Sequence, residues 1–350
     1  MSKFIQIHSL TVHGPSNLNR DESGRPKVCS FGGVPRLRIS SQSLKRSWRT
    51  GSVFQAEMGS YLSTRTRRIG ETIVEHLVAR GHGRDESIAA AKVIAAQFGK
   101  LPEKPKDNGR DLDTEQLAFI SSVESARALE LAERIVKGET LKESEINSVL
   151  GATDTAVDIA MFGRMLAADP IHNVEAAVHV AHAITTHRAL TEDDYYVAAD
   201  DKNRGDEDSG AGFVGTAEFG SGVFYSYACI DRGLLEGNLA GNVALASRGI
   251  QALVRGMVED GPTAKISSFA SVALPSFLLI EKGDRQPRNL MSAFIAPIGG
   301  DDQLSGSVTK LLDMRDKLDK VFGAAATDSS VVNALTGDGS LADAIEFAAA

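Results

Sequence analysis

The sequence predicts an α+β protein, and three observations carry this reading. Strand-like runs do not alternate evenly with helices: they fall at 4–12 and 36–39, return at 155–161, and cluster at 190–230 and 266–280. A long block between them, 61–150, has helical spacing throughout. The order is β, loop, β, α, helical insertion, β, α, β-hairpin, α, β. That order fits an α+β sandwich better than a doubly wound parallel sheet. With 350 residues and 42% apolar content, the chain can bury a large core, in one domain with insertions or in two.

In chain order, Phe4 to Val12 alternates apolar and polar residues and reads as the first strand. Residues 13–34 hold Pro15, Gly24, Pro26, Gly32 and Gly33 and read as a long loop, with room for a short hairpin. Loops of this length in compact domains tend to be functional. This one carries Asn19, Arg20, Arg25 and Lys27.

The loop leads into Arg36–Arg49, a strand running straight into a helix. Arg36 and Arg38 alternate with Leu37 and Ile39, so the two arginines are expected on one face. Ser40 and Ser41 are of the residue type that caps helix N-termini. Gln42, Lys45, Arg46 and Arg49 then recur at helical spacing on one side, while Leu44 and Trp48 point to the core. A serine-capped helix start suits a phosphate, and the cations beyond it can follow a run of phosphates. A solvated basic face is the commoner outcome for such a stretch, and is favoured on this stretch alone.

Helices are expected at 71–80, 85–99, 114–136 and 141–150. Lys100, Lys104 and Lys106 between them read as solvated. Thr155–Met161 is β-like. Val174–Ile184 is ambiguous between helix and strand, and His179, His182, His187 and Glu175 can be drawn as a metal site. Their loose spacing favours packing and polar bridging instead.

Residues 190–230 read as a long hairpin with an acidic tip at 200–212. Phe219, Val223, Tyr225 and Tyr227 share one face, as core or as part of a projecting arm. Ala240–Met257 is an amphipathic helix, 266–280 is strand-rich, 284–294 passes from loop to helix, and 303–322 is helical. Past Gly323 the small residues multiply and a poorly ordered tail is expected.

Charge is unevenly placed. The formal net is −8, yet residues 20–68 carry 11 Lys or Arg against 3 acids. A basic island on an acidic body points to a focused polyanion site. Two cysteines cannot make a disulfide framework, no run approaches the length of a membrane span, and no leader segment is read at the start; a reduced cytoplasm is the expectation. The phosphate-loop, dinucleotide and nucleophile-elbow patterns are missing. No cofactor and no catalysis are expected. The alternative is a metal held by Asp21 or Glu22 beside Arg20, for cleaving a phosphodiester.

Several stretches together resemble one family. They are FIQIHSLTVHGPSNLNRD at 4–21, FGGVPRLRISSQSLKRSWR at 31–49, AVDIAMFGRM at 156–165, AHAITTH at 181–187, GTAEFGSGVFYSYACI at 215–230, and AKISSFA with DRQPRNLMSAF within 264–294. The chain resembles the CasC-type backbone subunit of Cascade, the type I-E CRISPR surveillance complex.

The resemblance implies a ferredoxin-like or RRM-like palm at 1–60 and 151–300. It implies helical fingers at 61–150, a β-hairpin thumb at 190–215 and a C-terminal helix and tail at 301–350. It implies copies that polymerise along a guide crRNA, alongside other Cascade subunits, with target DNA reached through the guide. Its RNA grip maps to Arg20, Lys27, Ser40, Gln42, Lys45, Arg46, Arg49 and Arg164. Its base wedges map to Tyr195, Tyr196, Val197 and Val214, with Met165 below them. Val197, Phe213 and the longer acidic tip depart from the pattern expected at the thumb.

Overall fold

The computed structural model describes residues 2–103, 110–151, 155–166, 169–198 and 213–350. The chain divides into two compact units, one of residues 1–54, 180–229 and 250–350, the other of 55–179 and 230–249. Residues 151–179 therefore group with the helical insertion rather than with the first strand, and 301–350 belong to the first unit.

The strands are β1 (Phe4–Ser16), β2 (Val28–Phe31), β3 (Val34–Ile39), β4 (Thr64–Thr66), β5 (Ala118–Ile120), β6 (Val178–Val180), β7 (Ala183–Thr185), β8 (Glu192–Ala198), β9 (Phe213–Asp231), β10 (Pro275–Gly283) and β11 (Asp328–Asn333). In the first unit they form a sheet in the order β11-β10-β1-β9-β7-β3-β2, with β8 paired to β9. The β10–β1, β11–β10, β9–β7, β7–β3, β3–β2 and β8–β9 pairings are antiparallel. This is the expected α+β class. One face carries a core of Leu10, Tyr225, Tyr227, Phe277, Leu279, Leu290 and Phe294, closed by Val308 and Leu311 of the helix Gln303–Phe322. Val223, Tyr225 and Tyr227 are thus core residues, while Phe219 is half-buried and meets Phe269.

Two glycines shape the start of the sheet. Gly32 and Gly33 both have positive φ, +61° and +78°, and close a two-residue hairpin between β2 and β3. Turns that need two left-handed residues are matched to the twist of antiparallel strands. The hairpin brings the 13–34 loop into the sheet.

The tail is ordered. β11 pairs with β10 from Phe277↔Asn333 to Lys282↔Asp328, and the helix Leu341–Ala349 buries Ala344, Ala348 and Ala349. Its small residues allow close packing, a cue that alanine and glycine content does not separate from disorder.

The second unit has helices at Ile69–Ala79, Arg84–Phe98, Ser122–Val136 and Glu143–Asn147 around a core that includes Ile73, Leu77, Ile94, Phe98, Ala128 and Leu131. The segment expected to be helical from 114 differs, since Ala118–Ile120 pairs as a strand with Thr64–Thr66. Thr155–Met161 also differs: Val157–Phe162 is a helix. Every residue from Val157 to Met161 is buried, so it shows no helical periodicity to read. Asp158 inside it accepts from the Ser63 N–H at 2.9 Å and the Ser63 hydroxyl at 2.7 Å.

Candidate nucleic-acid interface

The site is built around helix α1 (Ser41–Thr50), in the first unit. Ser40 caps it: its Oγ accepts from the Ser43 N–H at 3.3 Å. Leu44 and Trp48 are buried and fix the helix roll. That roll leaves Gln42 and Arg46 exposed and Lys45 and Arg49 half-buried, in agreement with the sequence spacing. Partial burial lowers the Lys45 ammonium from its ordinary value, because desolvation disfavours the charged form.

The loop before β2 is tied to the same place. Asn19 is the link: its side-chain oxygen accepts from the Ser40 N–H at 2.9 Å, and its carbonyl accepts from the Lys27 N–H at 2.7 Å. The Arg38 N–H in turn donates to the Lys27 carbonyl at 2.8 Å. Arg20 and Lys27 are thereby fastened to the junction of β3 and α1. They line an open hollow with Asp21, Glu22 and Ser23. Among the described residues none of Arg20, Lys27, Arg38, Lys45 and Arg46 is held in an ion pair. Arg25, by contrast, pairs with Glu218 at 2.9 Å. A set of cations without carboxylate partners is an electrostatic sink for a polyanion.

Two arginines do not lie where the sequence suggests. Arg36 is fully buried and does not share the surface with Arg38. Its guanidinium donates to the carbonyls of Phe31 at 3.3 Å, Thr185 at 3.1 Å and Phe294 at 2.8 Å. It clasps the β2–β3 hairpin, β7 and the turn at 290–294. Strict alternation fails here because β3 is covered on both faces: Arg36, Leu37 and Ile39 are all buried.

Arg164 is the second correction. Its side chain is 1% exposed and lies 2.7 Å from the buried Glu124 carboxylate, with further bonds to the Phe119 and His172 carbonyls. A guanidinium held in this way offers no face to a phosphate. It belongs to the second unit, where it secures the start of the helix Ser122–Val136 through the Glu124–Ser121 capping box.

The Asp21 and Glu22 pair has a local role. One oxygen of Asp21 accepts from the Ser23 N–H (2.9 Å), the Ser23 hydroxyl (2.8 Å) and the Arg25 N–H (3.0 Å). These bonds, the Ser23 hydroxyl first, hold its carboxyl below the ordinary range. The oxygen organises a turn, and Glu22 is exposed beside it.

Among the described residues no three His, Cys, Asp or Glu side chains gather as a metal site. Two of the histidines bridge instead, and His179 is exposed. His187 accepts from the Val223 N–H at 3.1 Å and donates to the Arg188 carbonyl at 2.8 Å. His182 accepts from the Ser41 N–H at 2.9 Å.

The aromatic arm is β8 with the start of β9, in register from Glu192↔Phe219 to Ala198↔Phe213. All seven residues of β8 are exposed. Tyr195 (66%) and Val197 (48%) share one face by alternation, and Tyr196 (46%) lies on the other. The Tyr196 ring covers Gly215, where a Cβ would meet it at 2.5 Å. Val214 stands opposite Val197 in the ladder, and its side chain lies outside the described residues, as does the acidic tip at 200–212. Met165, in the second unit, is 78% exposed. Sequence reasoning missed two features of the site: the Asn19 link, and the contact from His182, which is separated from Ser41 by most of the second unit's residues.

The chain is similar to known proteins over nearly its whole length. It matches a chain of a structure described as a CRISPR RNA-guided surveillance complex, pre-nicking, at 27% identity and a TM-score of 0.87, covering 99% of both chains. It also matches a chain of a CRISPR RNA-guided surveillance complex at 25% identity and a TM-score of 0.74, again covering 99% of both. No curated protein matches it. The family model described as CT1975-like protein matches residues 5–348. This chain belongs to the CT1975-like protein family.

Proposed function

We propose that this protein is a subunit of a CRISPR RNA-guided surveillance complex. More narrowly, it is a non-catalytic backbone subunit of the CasC type that polymerises along crRNA and leaves the guide free to pair with target DNA. The observation that carries this is the cation set around the capped start of α1. Arg20, Lys27, Lys45 and Arg46 sit without carboxylate partners among the described residues, Gln42 is exposed beside them, and Arg49 continues the helix face. Ser40 acts as the cap that orients the helix. Such a ledge grips phosphates and reads no base edge, which suits a complex in which pairing reads sequence.

The strand order supports the palm reading. β10, β1, β9 and β7 lie side by side. With α1 after the first of these in sequence, that is the 4-1-3-2 order of an RRM-like sheet. The helices of 61–150 serve as fingers and the β8–β9 arm as the thumb. Tyr195, Tyr196 and Val197 are placed to wedge between bases, as exposed aromatic and apolar side chains do. Met165 offers a further exposed apolar contact.

The test is co-expression with a guide and the other complex subunits, then purification. RNA is expected to co-purify, seen as absorbance at 260 nm and recovered by extraction. With roughly 4 phosphate contacts per subunit, log affinity falls against log salt with a slope of about −3. A complex free of RNA, or an affinity indifferent to salt, refutes the reading.

A further inference from the structure

Resting on the reading above, we propose that His182 is a further residue of the strand-binding site, donating from Nε2–H to a phosphate oxygen of the bound chain. The geometry carries the assignment. His182 is exposed in the link between β6 and β7, and its Nδ1 lies 2.9 Å from the backbone nitrogen of Ser41. A backbone N–H can only donate, so Nδ1 presents a lone pair and the ring proton sits on Nε2. The first turn of α1 therefore fixes both the tautomer and the direction of the ring. Among the described residues Nε2 has no hydrogen-bond partner.

The surroundings select the ligand. The charged groups acting on the ring are Arg38 of β3 and Lys27 of the preceding loop, both cations. Partial burial first, then these two charges, lower the imidazole from its ordinary value, so it is neutral near pH 7. A neutral donor flanked by two cations complements an anionic oxygen, and it contributes direction rather than charge. Lys27 and Arg38 attract the strand, and His182 sets where one phosphate rests against α1.

The separation of direction from charge is measurable. The full-length chain is titrated with a fluorescein-labelled single-stranded RNA over a range of salt, as wild type, His182→Asn, His182→Ala and Lys27→Ala. Asparagine places an oxygen near the Nδ1 position and keeps the Ser41 bond, but it lacks the distal donor. His182→Asn is expected to weaken binding about 3- to 10-fold, the worth of one hydrogen bond, with the salt slope unchanged. Its unfolding midpoint should match wild type. Lys27→Ala should flatten the slope by about one. In the wild type, the Nε2 resonance of His182 should shift on saturation with RNA. Wild-type affinity in His182→Asn, a slope change equal to that of Lys27→Ala, or an unmoved Nε2 resonance overturns the proposal. If Lys27→Ala weakens binding and His182→Asn does not, this proposal alone falls. If neither does, the ledge itself is misassigned and the proposal falls with it.

Discussion

Arg36 offers a direct test of which basic residues belong to the surface and which to the interior. The perturbation is Arg36→Met, which keeps much of the side-chain volume and removes every donor. Three carbonyls then lose their partner: Phe31, part-buried, at 3.3 Å, and Thr185 and Phe294, both buried, at 3.1 and 2.8 Å. The two shorter bonds come from a charged donor and are worth about 1.5–3 kcal/mol each. Against this stands relief of a desolvated charge, since burial lowers the guanidinium's pKa. The expected net loss is about 3 kcal/mol, with the longest bond contributing least. Urea denaturation followed by the fluorescence of Trp48 measures it. Trp48 is the chain's single tryptophan and is buried in the same unit as Arg36. A loss below about 1 kcal/mol refutes the clasp. So does a variant of normal stability that has lost RNA, since that would place Arg36 on the ledge.

Lys45→Glu with Arg49→Glu should abolish RNA co-purification, which extraction from the purified complex checks. Glu124→Gln breaks the buried pair with Arg164 and should cost about 3–5 kcal/mol, read from the unfolding of the second unit. A histidine effect on pH is also expected. Burial lowers the pKa values of His8, His13 and His187. The unfolded chain then binds more protons than the folded one just below its own histidine pKa of about 6.5. Stability is therefore complete above that pH and falls as the pH drops towards the folded values. His8→Gln should flatten the fall, seen as denaturation midpoints from neutral to mildly acidic pH.

Much of the fold was legible because its cues were local. The period of two in Phe4–Val12, the serines before α1 and the Leu44–Trp48 pair each depend on neighbours within a few residues. The exposed side of α1 was legible for the same reason: a helix face is written at fixed spacing. What was not legible depended on distant partners. Arg36 reads as a surface cation until Thr185 and Phe294 are seen to enclose it. Arg164 reads as basic until Glu124 is found beside it. Val157–Phe162 hides its helix because it is buried all round. His182 gains its meaning only from Ser41, whose backbone it meets across a long stretch of sequence.

The ordered tail has a consequence for how this molecule stays apart from its neighbours. β11 occupies the outer margin of the sheet, next to a strand whose Phe277, Leu278, Leu279 and Ile280 are all buried. Behind it, Gly339 passes so near the Val331 carbonyl that a Cβ would sit at 2.1 Å. A premature stop before Asp328 would remove β11 and uncover β10 along its length, turning a sealed seam into an adhesive one. The last few dozen residues, poor in chemistry, thus act as a selvedge that keeps the fabric from binding to itself.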